Sequence, residues 1–300
     1  MNAETPRHRG QAEEKKQSKT KEWIFSAFFL CAYALKFFIL VPMPGFDRLT
    51  SFVLVVGNAR SGSTLLGSIL DAHPHVIVAN ETAASGNFWR GLDRAAILEE
   101  IVANSRRNQE SGRVSEGYRY LINPQAKNEA DIRVMGDKVW NPATLLLHGD
   151  FALLNRLEGL LGTPVRIIHA IRNPFDVIAT MHGRSGAPVR DRMLWYFMHC
   201  DAVLAIRAKW DASRYLDFHH ESLFEEPDRV IAGFCEFIGV EMNANHLAAC
   251  RAMLFEQPRQ TRFKLNWEAG MVREIVERIK AYDYLGRYSG EDYESLVHAR

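Results

Sequence analysis

The stretch FVLVVGNARSGSTLLGSIL, residues 52–70, decides the fold class. It begins with five consecutive apolar residues, which is typical of a strand buried on both faces of a sheet, and it ends in an apolar helical pattern. Between them, Gly57 and Gly62 have the spacing of a phosphate-binding loop. Ser63 occupies the position of the usual lysine, and the basic residue is Arg60 instead. The stretch therefore predicts a strand, an anion-binding loop and a helix.

Strand-like and helix-like patterns alternate along the rest of the chain. Further strands are predicted at 75–79, 132–136, 165–171 and 215–218. Helices are predicted at 64–72, 89–109, 151–161, 192–210, 228–238 and 268–282. This alternation is typical of α/β proteins. We expect a three-layer, P-loop-like α/β fold over residues 48–300, with a central, mainly parallel sheet flanked by helices.

The N-terminal region differs from this domain in composition. Residues 1–22 are polar and contain four lysines, and we expect a disordered tail there. Residues 23–43, WIFSAFFLCAYALKFFILVPM, have about the length of a membrane-spanning helix. Lys36 interrupts them toward one end, from which a lysine can reach the membrane surface. We predict a hydrophobic anchor at 23–43, with an interfacial or docking helix as the alternative.

Overall charge and cysteine content exclude several function classes. The net charge is +1, so no global field favours nucleic acid, and any anion site must be local. The four cysteines show neither CxxC nor zinc spacing, which favours small core residues over a disulfide framework. Four histidines, at 73, 75, 219 and 220, also lack a metal-ligand spacing, and His73 is interpreted as part of a helix stop. No metal and no nucleic-acid partner is expected.

The loop after the first strand favours a particular kind of anion. Its two glycines allow a tight turn, so that the backbone amides of 61–64 converge at a helix N-terminus and attract negative charge. The lysine of an ATPase loop contacts the β- and γ-phosphates. Because Ser63 replaces this lysine while Arg60 remains, the loop favours a shorter anionic chain attached to a nucleoside.

A second anion motif lies in RIIHAIRNPFDVIAT, residues 166–180. Arg172 follows a predicted strand, at the end of the sheet where α/β proteins bind ligands. Thr180 lies eight residues later on the next helix and can direct a hydroxyl at the same anion. Taken singly, Arg172 could instead cap a strand and Thr180 could bond to its own helix backbone.

Together the two motifs resemble those of the sulfotransferases that use 3′-phosphoadenosine 5′-phosphosulfate (PAPS). The matching residues are Arg60, Ser61, Gly62, Ser63 and Thr64 in the loop, and Arg172, Pro174 and Thr180 in the turn and helix. The family usually has serine at the last position, so Thr180 is a conservative departure. The resemblance implies that the loop holds the 5′-phosphosulfate, and that Arg172 and Thr180 hold the 3′-phosphate.

The resemblance covers most of residues 52–290. LLGSILDAHPHVIVANET, residues 65–82, is similar to the tyrosylprotein branch, whose catalytic glutamate falls on Glu81. GDKVW, residues 136–140, resembles the segment that supplies a catalytic lysine, here Lys138. TRFKLNW, residues 261–267, is similar to the closing nucleotide loop, which implies cofactor contacts from Arg262 and Lys264.

The implied reaction is transfer of a sulfuryl group from PAPS to a hydroxyl acceptor without a metal. Arg60 and Lys138 would stabilise charge on the transferred group, and Glu81 would accept the hydroxyl proton. His219 and His220 are weaker candidates for the base. The alternative role for Glu81 is structural, as an ion-pair partner of Arg60.

Two other function classes stay open. A P-loop-like nucleotide kinase would need a magnesium carboxylate, for which Asp137 is the candidate, and a non-catalytic PAPS- or nucleotide-binding membrane protein would need only the anion site. No motif selects among protein tyrosine, carbohydrate, lipid and small-molecule acceptors. Candidate acceptor-groove residues are Trp89, Arg90, Arg184, Arg190 and Trp195. We expect membrane association, at the Golgi in a eukaryote or on the cytoplasmic face of the inner membrane in a bacterium.

Overall fold

The computed structural model describes residues 46–82, 84–115, 118–120, 127–139 and 141–298. The strands are β1 (Ser51–Gly57), β2 (Val76–Asn80), β3 (Arg113–Ser115), β4 (Tyr118–Tyr120), β5 (Val134–Lys138), β6 (Val165–Ile171) and β7 (Tyr215–His219). The helices up to residue 161 are α1 (Ser63–Asp71), α2 (Ala84–Trp89), α3 (Arg94–Ser111), α4 (Asn141–Gly149) and α5 (Ala152–Leu161). They are followed by α6 (Pro174–Ser185), α7 (Val189–Lys209), α8 (Ser222–Glu225), α9 (Pro227–Ile238), α10 (Ala244–Met253), α11 (Ala269–Ile279) and α12 (Ser295–His298).

The main sheet has five parallel strands in the order β2-β5-β1-β6-β7. β1 is central, and Val55 lies opposite Lys138 of β5 on one side and Ile168 of β6 on the other. The later strands therefore lie on both sides of β1, with β2 and β5 on one side and β6 and β7 on the other. Such an arrangement opens a crevice at the carboxyl ends of the strands. β3 and β4 form a separate antiparallel pair. The α/β prediction with a mainly parallel central sheet is confirmed.

Burial on both faces explains why β1 shows no alternation of polar and apolar residues. Every residue of β1 is buried. Val53 and Val55 pack in one cluster with Leu65 and Ile69 of α1, and α4 and α7 also contact the strand. A strand that is covered on both faces has the side chains of both faces removed from water, which favours apolar residues on both.

The helix stop predicted at His73 is present. α1 ends at Asp71, and the Nδ1 of His73 accepts a hydrogen bond from the His75 amide at 3.1 Å. The Nε2 of the same ring lies 2.9 Å from the carbonyl oxygen of Glu241. The side chain thus ends the helix and attaches it to the segment after α9.

Two boundary predictions were wrong. The single helix expected at 89–109 is two helices, because Gly91 adopts a positive φ of 72° and Asp93 caps α3 by accepting from the Ala96 amide. The strand expected at 132–136 ends at Lys138 instead. This shift places Lys138 at the carboxyl edge of the sheet.

The predicted tail at 1–22 and the predicted anchor at 23–43 lie outside the described residues. Within the described part of the chain, no helix combines the length and the apolar character needed to cross a membrane.

Candidate functional site

A cavity of about 730 Å³ opens at the carboxyl ends of the parallel strands. The sheet strands contribute Gly57, Asn80 and Lys138 at their ends, and Arg172 and His220 follow β6 and β7 directly. The predicted site residues that line it are Arg60, Gly62, Ser63, Thr64, Glu81, Lys138, Arg172 and Thr180. Parallel strands bring segments that are far apart in sequence to one edge, so both predicted anion motifs meet in one cavity.

The loop between β1 and α1 depends on its glycines. Gly57 has a φ of 127° and Gly62 a φ of 88°, both in the region that side chains rarely adopt. A Cβ at Gly57 would lie 2.6 Å from the Ala170 carbonyl oxygen, and one at Gly62 would lie 1.9 Å from Cδ2 of His220. Ser61 is buried and donates its hydroxyl to the carbonyl of Asn58 at 2.7 Å, so it holds the loop rather than lining the cavity.

Gly62→Ala is expected to lower the free energy of unfolding by about 1–3 kcal/mol, the usual cost of a side chain at such a φ together with its clash. His220→Ala in the same chain should restore the part due to the clash and leave the part due to φ. Denaturant unfolding of the two single variants and the double variant measures both parts. Wild-type stability in Gly62→Ala would contradict the loop conformation.

Of the residues that the structure describes, four arginines line the cavity, at positions 60, 172, 184 and 259. The pKa of Arg60 is lowered to about 10, first by burial and then by the positive charges of Arg184 and Arg172. Arg172 is 9% exposed and donates from Nη1 to the Arg60 carbonyl at 3.2 Å, and from Nη2 to the carbonyl of Arg259. Cations that mutually destabilise their charged forms in a cleft are typical of a site that receives an anion.

Glu81 and Lys138 form an ion pair at the other end of the cavity. The Lys138 side chain is 9% exposed and that of Glu81 is 43% exposed. Glu81 has a φ of 60°, and among the described residues other than glycine only Arg60 shares a positive φ. Strained backbone of this kind is found at functional sites. The negative charge of Glu81 also acts to raise the pKa of Arg60, so the arrangement agrees with the alternative role of Glu81 as a partner of Arg60 as well.

The helix after β6 and the closing segment are joined by hydrogen bonds. The Thr180 hydroxyl lies 2.7 Å from the Asp176 carbonyl and 2.8 Å from the hydroxyl of Thr261, so the backbone bonding considered for Thr180 is observed even though it lines the cavity. Arg262 pairs with the Asp176 carboxylate at 2.6 Å, and Lys264 is exposed. Neither Arg262 nor Lys264 lines the cavity, and their contact with a cofactor stays a prediction.

The two histidines considered as bases are placed differently. His220 lines the cavity, whereas the Nδ1 of His219 lies 3.3 Å from the Tyr288 hydroxyl. Burial, and then the charge of Arg172, lower the pKa of His220 to about 4. His220 is therefore neutral at pH 7.

The neutral His220 predicts a pH dependence of stability. Its unfolded pKa is 6.5 and its folded pKa is about 4, so the unfolded chain binds the proton more readily between these values. The contribution of neutral His220 to the free energy of unfolding is complete above pH 6.5. It falls as the pH drops toward 4, by up to about 1.4 kcal/mol per pH unit. Denaturant unfolding at pH 7 and pH 5 should show a smaller loss in His220→Gln than in the wild type. Equal losses would contradict the lowered pKa.

Asp137, the magnesium candidate, does not face the cavity. It is fully buried and accepts a hydrogen bond from the Thr82 amide at 3.3 Å. Of the described residues that line the cavity, Glu81 is the one carboxylate, and Lys138 neutralises it. This arrangement does not offer the free carboxylate that magnesium-dependent chemistry on a nucleotide needs.

Several lining residues carry no motif and were not predicted. They are Tyr120, Asn141, Phe224, Phe255, Gln257, Pro258, Arg259 and Thr261. Among the candidate groove residues, Arg184 lines the cavity, whereas Arg190 pairs with Glu274 and Trp195 packs on His199. Arg90 is exposed and does not line it. The Trp89 side chain is outside what the structure describes.

A buried histidine–cysteine cluster lies outside the lining of the cavity. Donor atoms of His73, Cys235 and His246 lie within 4.8 Å of one another. Both ring nitrogens of His73 already have backbone partners. The ring of His246 contacts a backbone carbonyl of α1 at 3.0 Å and the Cys235 thiol at 3.7 Å. We interpret the cluster as packing between α1, α9 and α10.

Comparison with curated proteins finds one partial relative. The chain is 31% identical over 74 residues to protein-tyrosine sulfotransferase A of Caenorhabditis elegans, and the match covers 20% of this chain and 20% of that protein. The chain thus spans about a fifth of the length of the curated relative that it matches. No family model matches the chain.

Among solved structures, the chain is similar to mouse sulfotransferase SULT7A1 complexed with PAP (TM-score 0.49, 13% identity, 82% of this chain and 91% of that chain). It is also similar to the sulfotransferase domain from the curacin biosynthetic pathway (TM-score 0.46, 15% identity, 79% and 99%). A third similar structure is the sulfotransferase domain of the Synechococcus PCC 7002 olefin synthase (TM-score 0.45, 20% identity, 69% and 79%). The proteins found by both comparisons are described as sulfotransferases, the family that the two anion motifs resemble.

Proposed function

We propose that the chain is a sulfotransferase that moves a sulfuryl group from PAPS to a hydroxyl acceptor. The observation that carries the proposal is the order of the predicted groups across the sheet. Arg172 and Thr180 follow β6, the anion loop follows β1, and Glu81 and Lys138 lie at the ends of β2 and β5. When PAPS lies along this edge, its 3′-phosphate is beside Arg172 and Thr180 and its phosphosulfate is on the loop. The acceptor then lies beside Glu81.

The loop and Arg60 supply the binding of the phosphosulfate. Gly62 is the N-cap residue of α1 and no side chain caps the helix, so its first backbone amides are available to an anionic ligand. Arg60 adds positive charge at this point, and its burial strengthens the effect. PAPS, once bound, supplies the sulfuryl group, and the protein contributes position and charge.

The Glu81–Lys138 pair supplies the groups for the transfer. The S–O bond to the 5′-phosphate breaks as the acceptor oxygen bonds to sulfur, and negative charge grows on the leaving phosphate oxygen. Lys138 and Arg60 stabilise this charge, and Glu81 accepts the proton of the acceptor hydroxyl. The Lys138 ammonium pairs with the Glu81 carboxylate, which keeps the two groups together in the cavity.

The proposal is tested by incubating the purified chain with PAPS and a panel of acceptors, followed by mass spectrometry of the products. The panel contains tyrosine peptides, oligosaccharides, lipids, phenols and alcohols. We expect an acceptor heavier by one sulfuryl group, together with the desulfonated product PAP. Binding of PAPS and PAP without product from any class would favour a non-catalytic binding protein, and preferential binding of ATP with magnesium would favour a kinase.

We also infer that residues 23–43, which precede the folded domain in the sequence, attach the enzyme to a membrane. The support is the length and apolar character of this segment. Asn80, in the sole glycosylation sequon at 80–82, lines the cavity, so a glycan there would obstruct it. This position favours a domain outside a glycosylating lumen.

Membrane attachment is tested by fractionation. The full-length chain should sediment with membranes and dissolve only with detergent, and deletion of residues 1–44 should release an active soluble domain. A full-length chain that is soluble without detergent would overturn the anchor.

A further inference from the structure

The backbone that carries Glu81 requires support from outside its own segment. Its φ of 60° lies in the left-handed region. For a residue with a Cβ, this conformation is less stable by roughly 1–2 kcal/mol. Glutamate rarely adopts this region, whereas asparagine and glycine adopt it more readily. Contacts with the rest of the fold must therefore hold the conformation.

The last two residues of β5 provide two such contacts. The Glu81 amide donates to the carbonyl oxygen of Lys138 at 2.8 Å. The Thr82 amide donates to Oδ1 of Asp137 at 3.3 Å. Asp137 and Lys138 thus bind both amides of the Glu81–Thr82 pair, while the Lys138 ammonium also pairs with the Glu81 carboxylate.

The Asp137 contact is made in a fully buried environment. Asp137 is 0% exposed and Thr82 is 7% exposed. Burial of a carboxylate is costly, and a hydrogen bond from a backbone amide to a carboxylate is stronger than one to a neutral acceptor. The charge of Asp137 also favours the charged form of the buried Arg113 guanidinium. Asp137 is therefore a fixed part of the fold and not a mobile surface group.

We propose that Asp137 is a positioning residue, which acts on the reaction through the Thr82 amide and Glu81. The inference rests on the proposed sulfuryl transfer. Asp137 does not line the cavity, so it touches neither PAPS nor the acceptor. Without its carboxylate oxygen, the Thr82 amide is released, Glu81 relaxes toward negative φ, and its carboxylate leaves the Lys138 ammonium.

The test compares Asp137→Ala with Asp137→Asn, which keeps an oxygen acceptor but removes the charge. Asp137→Ala is expected to lower kcat about tenfold, the value of one charge-assisted hydrogen bond, and to leave the Kd of PAP unchanged. Asp137→Asn should recover part of the lost turnover, because it keeps the oxygen acceptor without the charge. Equal loss in both variants, or a parallel loss of PAP affinity, would overturn the proposal.

A double-variant comparison separates positioning from general destabilisation. In a chain that carries Glu81→Gln, adding Asp137→Ala should cause no further loss of turnover, because both changes act through the same carboxylate. Additive losses would show that Asp137 acts by another route and would overturn the proposal.

Hydrogen exchange tests the contact independently of activity. The Thr82 amide should exchange slowly in the wild type and in Asp137→Asn, and rapidly in Asp137→Ala. Rapid exchange in the wild type would overturn the contact even if sulfuryl transfer is found. Slow exchange in a wild-type chain that transfers no sulfuryl group would support the contact and count against the proposed function alone.

Discussion

Glu81→Gln is expected to lower the turnover of sulfuryl transfer by roughly 100-fold or more, the usual contribution of a general base. Glutamine keeps the shape of the side chain but cannot accept the acceptor proton. The binding of PAP should stay near the wild-type value, because Glu81 lies at the β2–β5 end of the cavity, away from Arg172 and Thr180. Steady-state kinetics with a reactive acceptor and calorimetric titration with PAP measure the two effects.

Two further variants make this result specific. Lys138→Ala should also reduce turnover more than binding, because it removes charge stabilisation at the leaving oxygen. Glu277→Gln removes a carboxylate that pairs with Lys280 on the surface, and it should leave both quantities unchanged. Wild-type turnover in Glu81→Gln would move the base to another residue, with His220 next because it lines the cavity.

The parts of the site that the sequence predicted are those fixed by local chemistry. The glycine spacing around Arg60 requires a tight loop, and the apolar run before it requires a buried strand, so β1, the loop and α1 could be located without a structure. Arg172 was predicted for the same reason, since it follows a strong strand pattern. In a parallel sheet all such positions reach one edge, which is why the two motifs meet.

The parts that the sequence did not predict depend on packing between distant segments. Tyr120 and Phe255 line the cavity, and their rings lie 6.3 Å apart, yet 135 positions of sequence separate them. No periodic pattern in the sequence indicates a contact between residues so far apart in the chain. The Glu81–Lys138 pair is similar, because it depends on β2 and β5 being neighbours in the sheet. Strand order is set by the whole fold and not by either strand alone.

Resemblance located residues but did not determine what their side chains contact. Arg262 lies in the closing segment as expected, but its guanidinium pairs with Asp176. A motif identifies the residue types in a segment. The charges around a long side chain determine which way that side chain points. The buried Asp176 attracts the cation because an unpaired buried carboxylate would be costly.

Arg172→Ala is expected to weaken the binding of PAPS and of PAP alike, by roughly 30-fold. Both ligands carry the 3′-phosphate that Arg172 is proposed to hold, and a hydrogen-bonded charge pair contributes about 2 kcal/mol. Calorimetric titration of the wild type and the variant with each ligand measures the change. Arg190→Ala is the matched control, because Arg190 is exposed and pairs with Glu274 away from the cavity.

A third ligand separates loss of the 3′-phosphate contact from loss of the loop. Arg172 also donates to the carbonyls of Arg60 and Arg259, so its removal could disturb the loop itself. Adenosine 5′-phosphosulfate lacks the 3′-phosphate, and Arg172→Ala should therefore change its affinity little. An equal loss for all three ligands would assign Arg172 to loop structure, whereas unchanged affinity for PAPS and PAP would contradict its placement at the cofactor. Loss confined to the two ligands with a 3′-phosphate is the result expected if the β6 end of the cavity binds that group.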